Sequence, residues 1–212
     1  MKKFLILLAL IFGITATNAD VMPYYVNNIN SNSIGVYQAS HEIKIYKEPN
    51  EKSPLLLSVT WDSKNFNSPD ISASNLFVVF LPKKDLAFFL VTDENENWVQ
   101  VIFNRNNSQT GWIKKDDELK FLNWRTFFNN YGRKYGVYYL KDAPEESKTI
   151  YSSSDNNGQV LGRIKLPEVI KLTTTKGNWI LISVYDIEKI QKIGWIQWRN
   201  TNGEIHLFPA IK

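Results

Sequence analysis

Trp98-Val-Gln-Val-Ile-Phe103, a polar loop, and then Gly111-Trp112-Ile113 form the stretch that decides the fold, because it occurs twice. The second copy is Trp179-Ile-Leu-Ile-Ser-Val-Tyr185, another polar loop, and Gly194-Trp195-Ile196. In each, an asparagine precedes the tryptophan, an alternating apolar run follows, and Gly-Trp-Ile closes the segment. An alternating run, a turn and a second short apolar run describe a β-hairpin. Two such hairpins in one chain imply duplicated units, each smaller than the whole protein.

Side chains alternate along a strand, so each run also has faces. Ile180, Ile182 and Val184 share one face, with Trp179, Leu181, Ser183 and Tyr185 on the other. In the first copy Val99, Val101 and Phe103 oppose Trp98, Gln100 and Ile102. The aliphatic face is the natural core face, which places Trp98 and Trp179 on the more exposed side. Two outcomes stay open for them: a recognition surface, or a surface covered by another element of the chain. Trp112, Trp195 and Trp198 are either groove residues or core fillers.

Working outward from the first hairpin, Leu76 to Leu81 and Leu86 to Val91 read as buried strands. His41 to Tyr46 alternates like a strand, and Leu55 to Val59 begins another apolar run. Residues 61–75 carry Asn, Ser, Asp and Pro without a counterpart in the second copy, so they read as a loop insertion. Residues 20–40 read as an extended leader or edge segment, or as a mobile tail. Between the copies, Asp116, Asp117 and Glu118 suit the positive end of a helix macrodipole. Leu119, Trp124, Phe127, Phe128 and Tyr131 recur at helical spacing, and Gly132 is a stop. A helix is therefore expected over about Asp117 to Asn130, its aromatic stripe docking it on the β units. Asn202-Gly203 marks a tight turn.

Ahead of all this, Met1-Lys2-Lys3, the apolar run Phe4 to Ile14 and Thr17-Asn18-Ala19 make the pattern of a secretory signal peptide. Cleavage is expected before Asp20, giving a soluble periplasmic or otherwise extracytoplasmic chain with no stable membrane anchor. The chain has no cysteine, which excludes disulfides, thiolate metal sites and a thioether lipid anchor. Its formal charge of +4 falls by two when Lys2 and Lys3 leave with the signal. The remaining lysines are scattered among acids, so nucleic acid is not an expected partner. With 43% hydrophobic and 14% aromatic residues in 212 positions, there is material for one or two small cores.

The order of these pieces resembles the bacterial Src-homology-3-like domain, a small β-barrel of cell-wall and envelope proteins. Ile45 to Pro49 matches its first strand and Pro-containing loop, although Tyr46 stands where the family commonly has arginine. Trp98 to Val101 with Gly111 to Ile113, and Trp179 to Ile182 with Gly194 to Ile196, match its "Trp-x-x-Val" and "Gly-Trp-Val/Ile" strands. The resemblance covers roughly His41 to Lys115 and Lys148 to Arg199. It implies a mostly β chain of two small Src-homology-3-like β-barrels joined by a helix-containing linker. The corresponding boundaries are 1–19 for the signal peptide, 20–40 for the extended segment and 41–115 for the first barrel with its insertion. A helical linker occupies 116–146 and the second barrel 147–212. In the family, aromatic residues near these positions line a peptide-binding groove. The candidate ligand-binding residues are thus Trp98, Trp179, Tyr46, Tyr151, Trp112 and Trp195.

Catalytic candidates are few. His41 and His206 are the only histidines, and both read as surface or edge residues outside any nucleophile motif. The acid clusters around Asp93, Asp116 and Glu145 read as solvated charge in a turn, a helix start and a linker. No catalytic residue, metal or cofactor is expected. The expected function is a non-catalytic envelope module that binds peptidoglycan stem peptides or an envelope protein through aromatic grooves. The alternatives are a structural subunit or scaffold of a periplasmic assembly, and an enzyme of unrecognised type.

Overall fold

A computed structural model describes residues 29–155, 157–165, 169–185 and 191–212. The expected signal peptide and its cleavage point lie outside the described residues. The described chain is mostly β and forms two antiparallel sheets, with no closed barrel among the described residues.

The first sheet uses β1 (Gly35–Gln38), β2 (Glu42–Tyr46), β3 (Leu55–Trp61), β4 (Phe66–Asn67), β5 (Val79–Leu81), β6 (Leu86–Glu94), β7 (Trp98–Asn104), β8 (Gln109–Lys114) and β9 (Phe121–Asn123). The second uses β10 (Val137–Tyr139), β11 (Thr149–Tyr151), β12 (Val160–Arg163), β13 (Val169–Lys176), β14 (Trp179–Tyr185), β15 (Gln191–Gln197) and β16 (Leu207–Pro209). The first path runs β4-β3-β2-β8-β7-β6-β1-β9, with β5 paired to β6. The second runs β12-β11-β15-β14-β13-β10-β16. From β3 and from β12 onward the two orders are the same.

The duplication extends to the irregularities. Register shifts between Val91 and Asp93 on β6 and between Leu172 and Thr174 on β13 leave Thr92 and Thr173 as the extra residues. Both stand six residues before the hairpin tryptophan. A further pair of shifts falls between Ile45 and Tyr46 and between Ile150 and Tyr151. The loop-closing bonds repeat as well: Lys47 N–H donates to Pro54 O at 3.0 Å and Ser152 N–H to Gln159 O at 2.9 Å. A bulge bends and twists its strand locally, and the same bends recur at the same places in both copies.

The glycine of each Gly-Trp-Ile is required by a close crossing. A Cβ at Gly111 would lie 2.4 Å from Ile45 Cγ2 and 3.1 Å from Tyr46 O. At Gly194 it would lie 2.5 Å from Ile150 Cγ2 and 2.7 Å from Tyr151 O. Gly111→Ala and Gly194→Ala are each expected to cost about 1–3 kcal/mol, the range for overpacking. Gly194→Ala should cost the more, because a backbone oxygen yields less than a side-chain methyl; denaturant midpoints of the two variants check the order.

The region between the copies differs from the sequence expectation. Residues 121–123 are strand β9, and helix starts only with α2 (Trp124–Phe127), after α1 (Ala73–Leu76) in chain order. It continues as a π-helical turn, Phe128–Gly132, and ends in α3 (Arg133–Tyr135). The start is set by Asn123, whose side chain accepts from Thr126 N–H at 2.9 Å and caps the first turn. The acids at 116–118 instead make a local turn, Glu118 N–H donating to Asp116 Oδ1 at 2.8 Å. Gly35–Gln38, within the segment left open as leader or tail, is a strand held between β6 and β9. Val137–Tyr139 holds the matching place between β13 and β16. The insertion contributes β4, which pairs with the end of β3 through an Asp62 turn. The run 76–81 is split: Leu76 closes α1 and only Val79–Leu81 is strand.

Two cores follow. One lies within the first unit around Tyr37, Ile45, Phe77, Phe89 and Val101. The other joins both units: Phe88, Leu90 and Ile102 of the first sheet meet Trp124, Phe127 and Phe128, which meet Ile170, Ile182 and Phe208 of the second. The helical aromatic stripe is the shared filling.

Candidate functional site

The aromatic candidates come together as two matched triplets. On the first sheet Trp112 of β8 stands opposite Gln100 of β7 and Tyr46 of β2. The Tyr46 and Trp98 rings meet edge to face, centroids 5.8 Å apart and planes at 86°. On the second sheet Trp195 stands opposite Leu181 and Tyr151. Tyr151 and Trp179 repeat the geometry at 5.5 Å and 90°. Edge-to-face pairing sets a positive ring edge on a negative ring face. Each tyrosine stands at a register shift whose extra residue is on the neighbouring strand, Leu56 opposite the Ile45–Tyr46 step and Leu161 opposite the Ile150–Tyr151 step.

Of the two outcomes open for Trp98 and Trp179, accessibility favours the covered one: each is only 9% accessible. They do lie on the face opposite Val99 and Val101 or Ile180 and Ile182, each with a tyrosine ring packed against it. Trp112 and Trp195 are half-buried and form the accessible part of each triplet, as do the half-buried Tyr46 and Tyr151. Ile102, also expected outside, is 1% accessible because the helix and second sheet pack over it. Phe103 is half-buried rather than core, since a register shift between Ile102 and Asn104 makes it a bulge residue.

The two faces differ chemically. In the first, Trp98 pairs across to Lys114, whose Nζ lies 2.8 Å from Glu51 Oε1 at the surface. This contact draws the Glu51 carboxyl below its ordinary range and raises the Lys114 ammonium. A cleft of about 340 Å³ runs beside Tyr46, with Tyr37, Phe89 and Lys114 among its walls. In the second, Gln197 and Leu181 replace Lys114 and Gln100. Both faces expose an aliphatic residue opposite the tyrosine, Leu55 at 51% and Val160 at 58%, and the second adds Val169 at 59% and Ile193 at 55%. Lys171 Nζ lies 4.8 Å from the Tyr185 ring centre at the edge of that face.

The histidines divide. His41 is exposed, its Nε2 2.6 Å from Asp85 Oδ1. His206, expected at the surface, is 5% accessible. Its backbone N–H donates to Trp198 O at 2.8 Å and its carbonyl accepts from Leu140 N–H at 2.9 Å. Those bonds fix the segment carrying His206 within the second unit. Burial pushes the imidazole pKa down, against the opposing pull of Glu204 and Glu146. The ring lines a cleft between the two units that the sequence did not announce. Its walls come from segments far apart in the chain, so no local motif records it. Among the described residues no three His, Asp or Glu side chains group as a metal site would require. No family model matches this chain, and no curated protein sequence does so significantly.

Proposed function

We propose that the chain is a non-catalytic binding module of the bacterial envelope, built from two divergent, open Src-homology-3-like units. It recognises peptidoglycan stem peptides or an envelope protein through its aromatic faces. The observation that carries this is the triplet Tyr46–Trp98–Trp112 and its repeat Tyr151–Trp179–Trp195. In both copies a buried tryptophan and a tyrosine support a second, accessible tryptophan. Rigid, partly exposed tryptophans with a free N–H edge are favoured anchors of recognition. The aliphatic exposure around Trp195 favours a protein partner there, which keeps a structural subunit of a periplasmic assembly as the second reading.

The test is retention of the secreted, mature chain on purified sacculi, with Trp112→Ala and Trp195→Ala. An anchor is worth roughly 2 kcal/mol or more of binding, about a thirtyfold loss, while half-burial keeps the unfolding midpoint nearly unchanged. Wild-type retention that neither substitution weakens would remove the aromatic faces from the reading. Stable co-purification with one envelope protein, without affinity for sacculi, would select the structural subunit. Intact mass of the periplasmic fraction checks the expected start at Asp20.

A further inference from the structure

A cleft of about 890 Å³ lies between the two units. That volume is within the range of small-ligand sites. One wall is built by the first unit: Arg105 in the β7–β8 turn, with the amides of Asn75 and Asn106. The other is built by the second: Asp142 and Glu204, with His206 between the strands. Leu90 and Ile102 give the first wall an apolar floor.

We propose that this cleft binds a short peptide with free charged ends, its carboxylate toward Arg105 and its ammonium toward Asp142 and Glu204. The walls have opposite sign, which suits a zwitterion rather than a simple anion or cation. Asparagine side chains carry both a donor and an acceptor, the pair that a peptide group needs. The volume accommodates more than a single amino acid. This site goes beyond the aromatic faces and does not depend on what they bind.

The walls are held in place by the fold. Arg105 Nη1 donates to the carbonyls of Ser74 at 3.0 Å and Phe77 at 3.2 Å, so its cation is seated in the first unit. Arg199 Nη2 of the second unit donates to Ser31 O of the first at 3.2 Å and ties the rim across the units. Arg105 is therefore part of the structure, and the variants belong on the carboxylate wall, where Asp142 and Glu204 are exposed.

The test titrates the mature chain with the tetrapeptide alanyl-glutamyl-lysyl-alanine, followed by amide chemical shifts. The control is the same peptide acetylated at its N-terminus and amidated at its C-terminus. The free peptide should give saturable shifts on both walls, near Asn75 and Asn106 and near Asp142 and His206. Asp142→Asn and Glu204→Gln should each weaken it about two- to fivefold, as expected for exposed charge pairs. They should leave the weaker binding of the capped peptide unchanged. No saturable shifts, equal affinity for both peptides, or shifts confined to the surroundings of Trp112 and Trp195 would overturn the proposal. Sacculus retention lost in Trp112→Ala without any tetrapeptide binding sinks the cleft alone. Tetrapeptide bound in the cleft by a chain that sacculi do not retain sinks the envelope reading alone.

Discussion

Replacing Trp124 with alanine is expected to lower the unfolding midpoint by roughly 6–20 °C, in a single transition for the whole described chain. Trp124 is 3% accessible and its Nε1–H donates to Ser33 O of the first unit at 2.7 Å. Its ring meets Phe127, Phe128, Trp198 and Phe208, the last two from the second unit. Truncating a core tryptophan costs about 3–5 kcal/mol, and each kcal/mol moves the midpoint of a domain this size by about 2–4 °C. The single transition follows from the shared core: neither sheet can lose the helix without exposing apolar surface of its own. Scanning calorimetry is the measurement, with calorimetric and van't Hoff enthalpies compared. Two separated transitions in the wild-type chain would show that the units fold independently, and would contradict the joint core.

Trp98→Ala and Trp179→Ala are each expected to cost about 3–5 kcal/mol of stability, because both side chains are buried, at 9% accessible each, with a tyrosine ring against them. Part of that cost should be shared with the tyrosine. A double-mutant cycle of Trp98→Ala with Tyr46→Ala, and of Trp179→Ala with Tyr151→Ala, should return about 0.5–1.5 kcal/mol of coupling in each copy. Similar couplings are expected because centroid distances and ring angles nearly coincide, 5.8 Å and 86° against 5.5 Å and 90°. Urea midpoints with a common slope give all four numbers. A small cost for either tryptophan would return it to the exposed role that alternation alone assigns.

These expectations separate the face a residue occupies from the neighbours that cover it. Alternation put Ile180, Ile182 and Val184 on the core side, and all three are buried there. The same rule put Trp98 and Trp179 on the other side, which is also where they lie. Packed against them are Tyr46 and Tyr151, on strands more than fifty or twenty-five residues away in sequence order, contacts that leave no local signal. The helix shows a similar division. Its aromatic stripe was visible as a docking surface, whereas its start depended on whether Asn123 or the acids at 116–118 met the free amides. Asn123 prevails because residues 121–123 are already committed to pairing with β1. The tight turn at Asn202-Gly203 was legible outright: Gly203 has φ +86°, a conformation that side-chain sterics leave mainly to glycine.

Local periodicity and turn chemistry by themselves determined that the chain is mostly β, that it is duplicated, and which strands form the two hairpins. These follow from the sequence because alternation, turn residues and the Gly-Trp-Ile crossings act over a few neighbouring positions. Only the tertiary structure decided that the strands form two open sheets sharing a helix-filled core. It alone left Trp112 and Trp195 half-buried while burying Trp98 and Trp179, and buried His206 beside a cleft walled by Arg105 on one side and Asp142 and Glu204 on the other. Each of those outcomes depends on which distant segments dock, and docking is settled by the total apolar surface that the two units and the helix remove from water together.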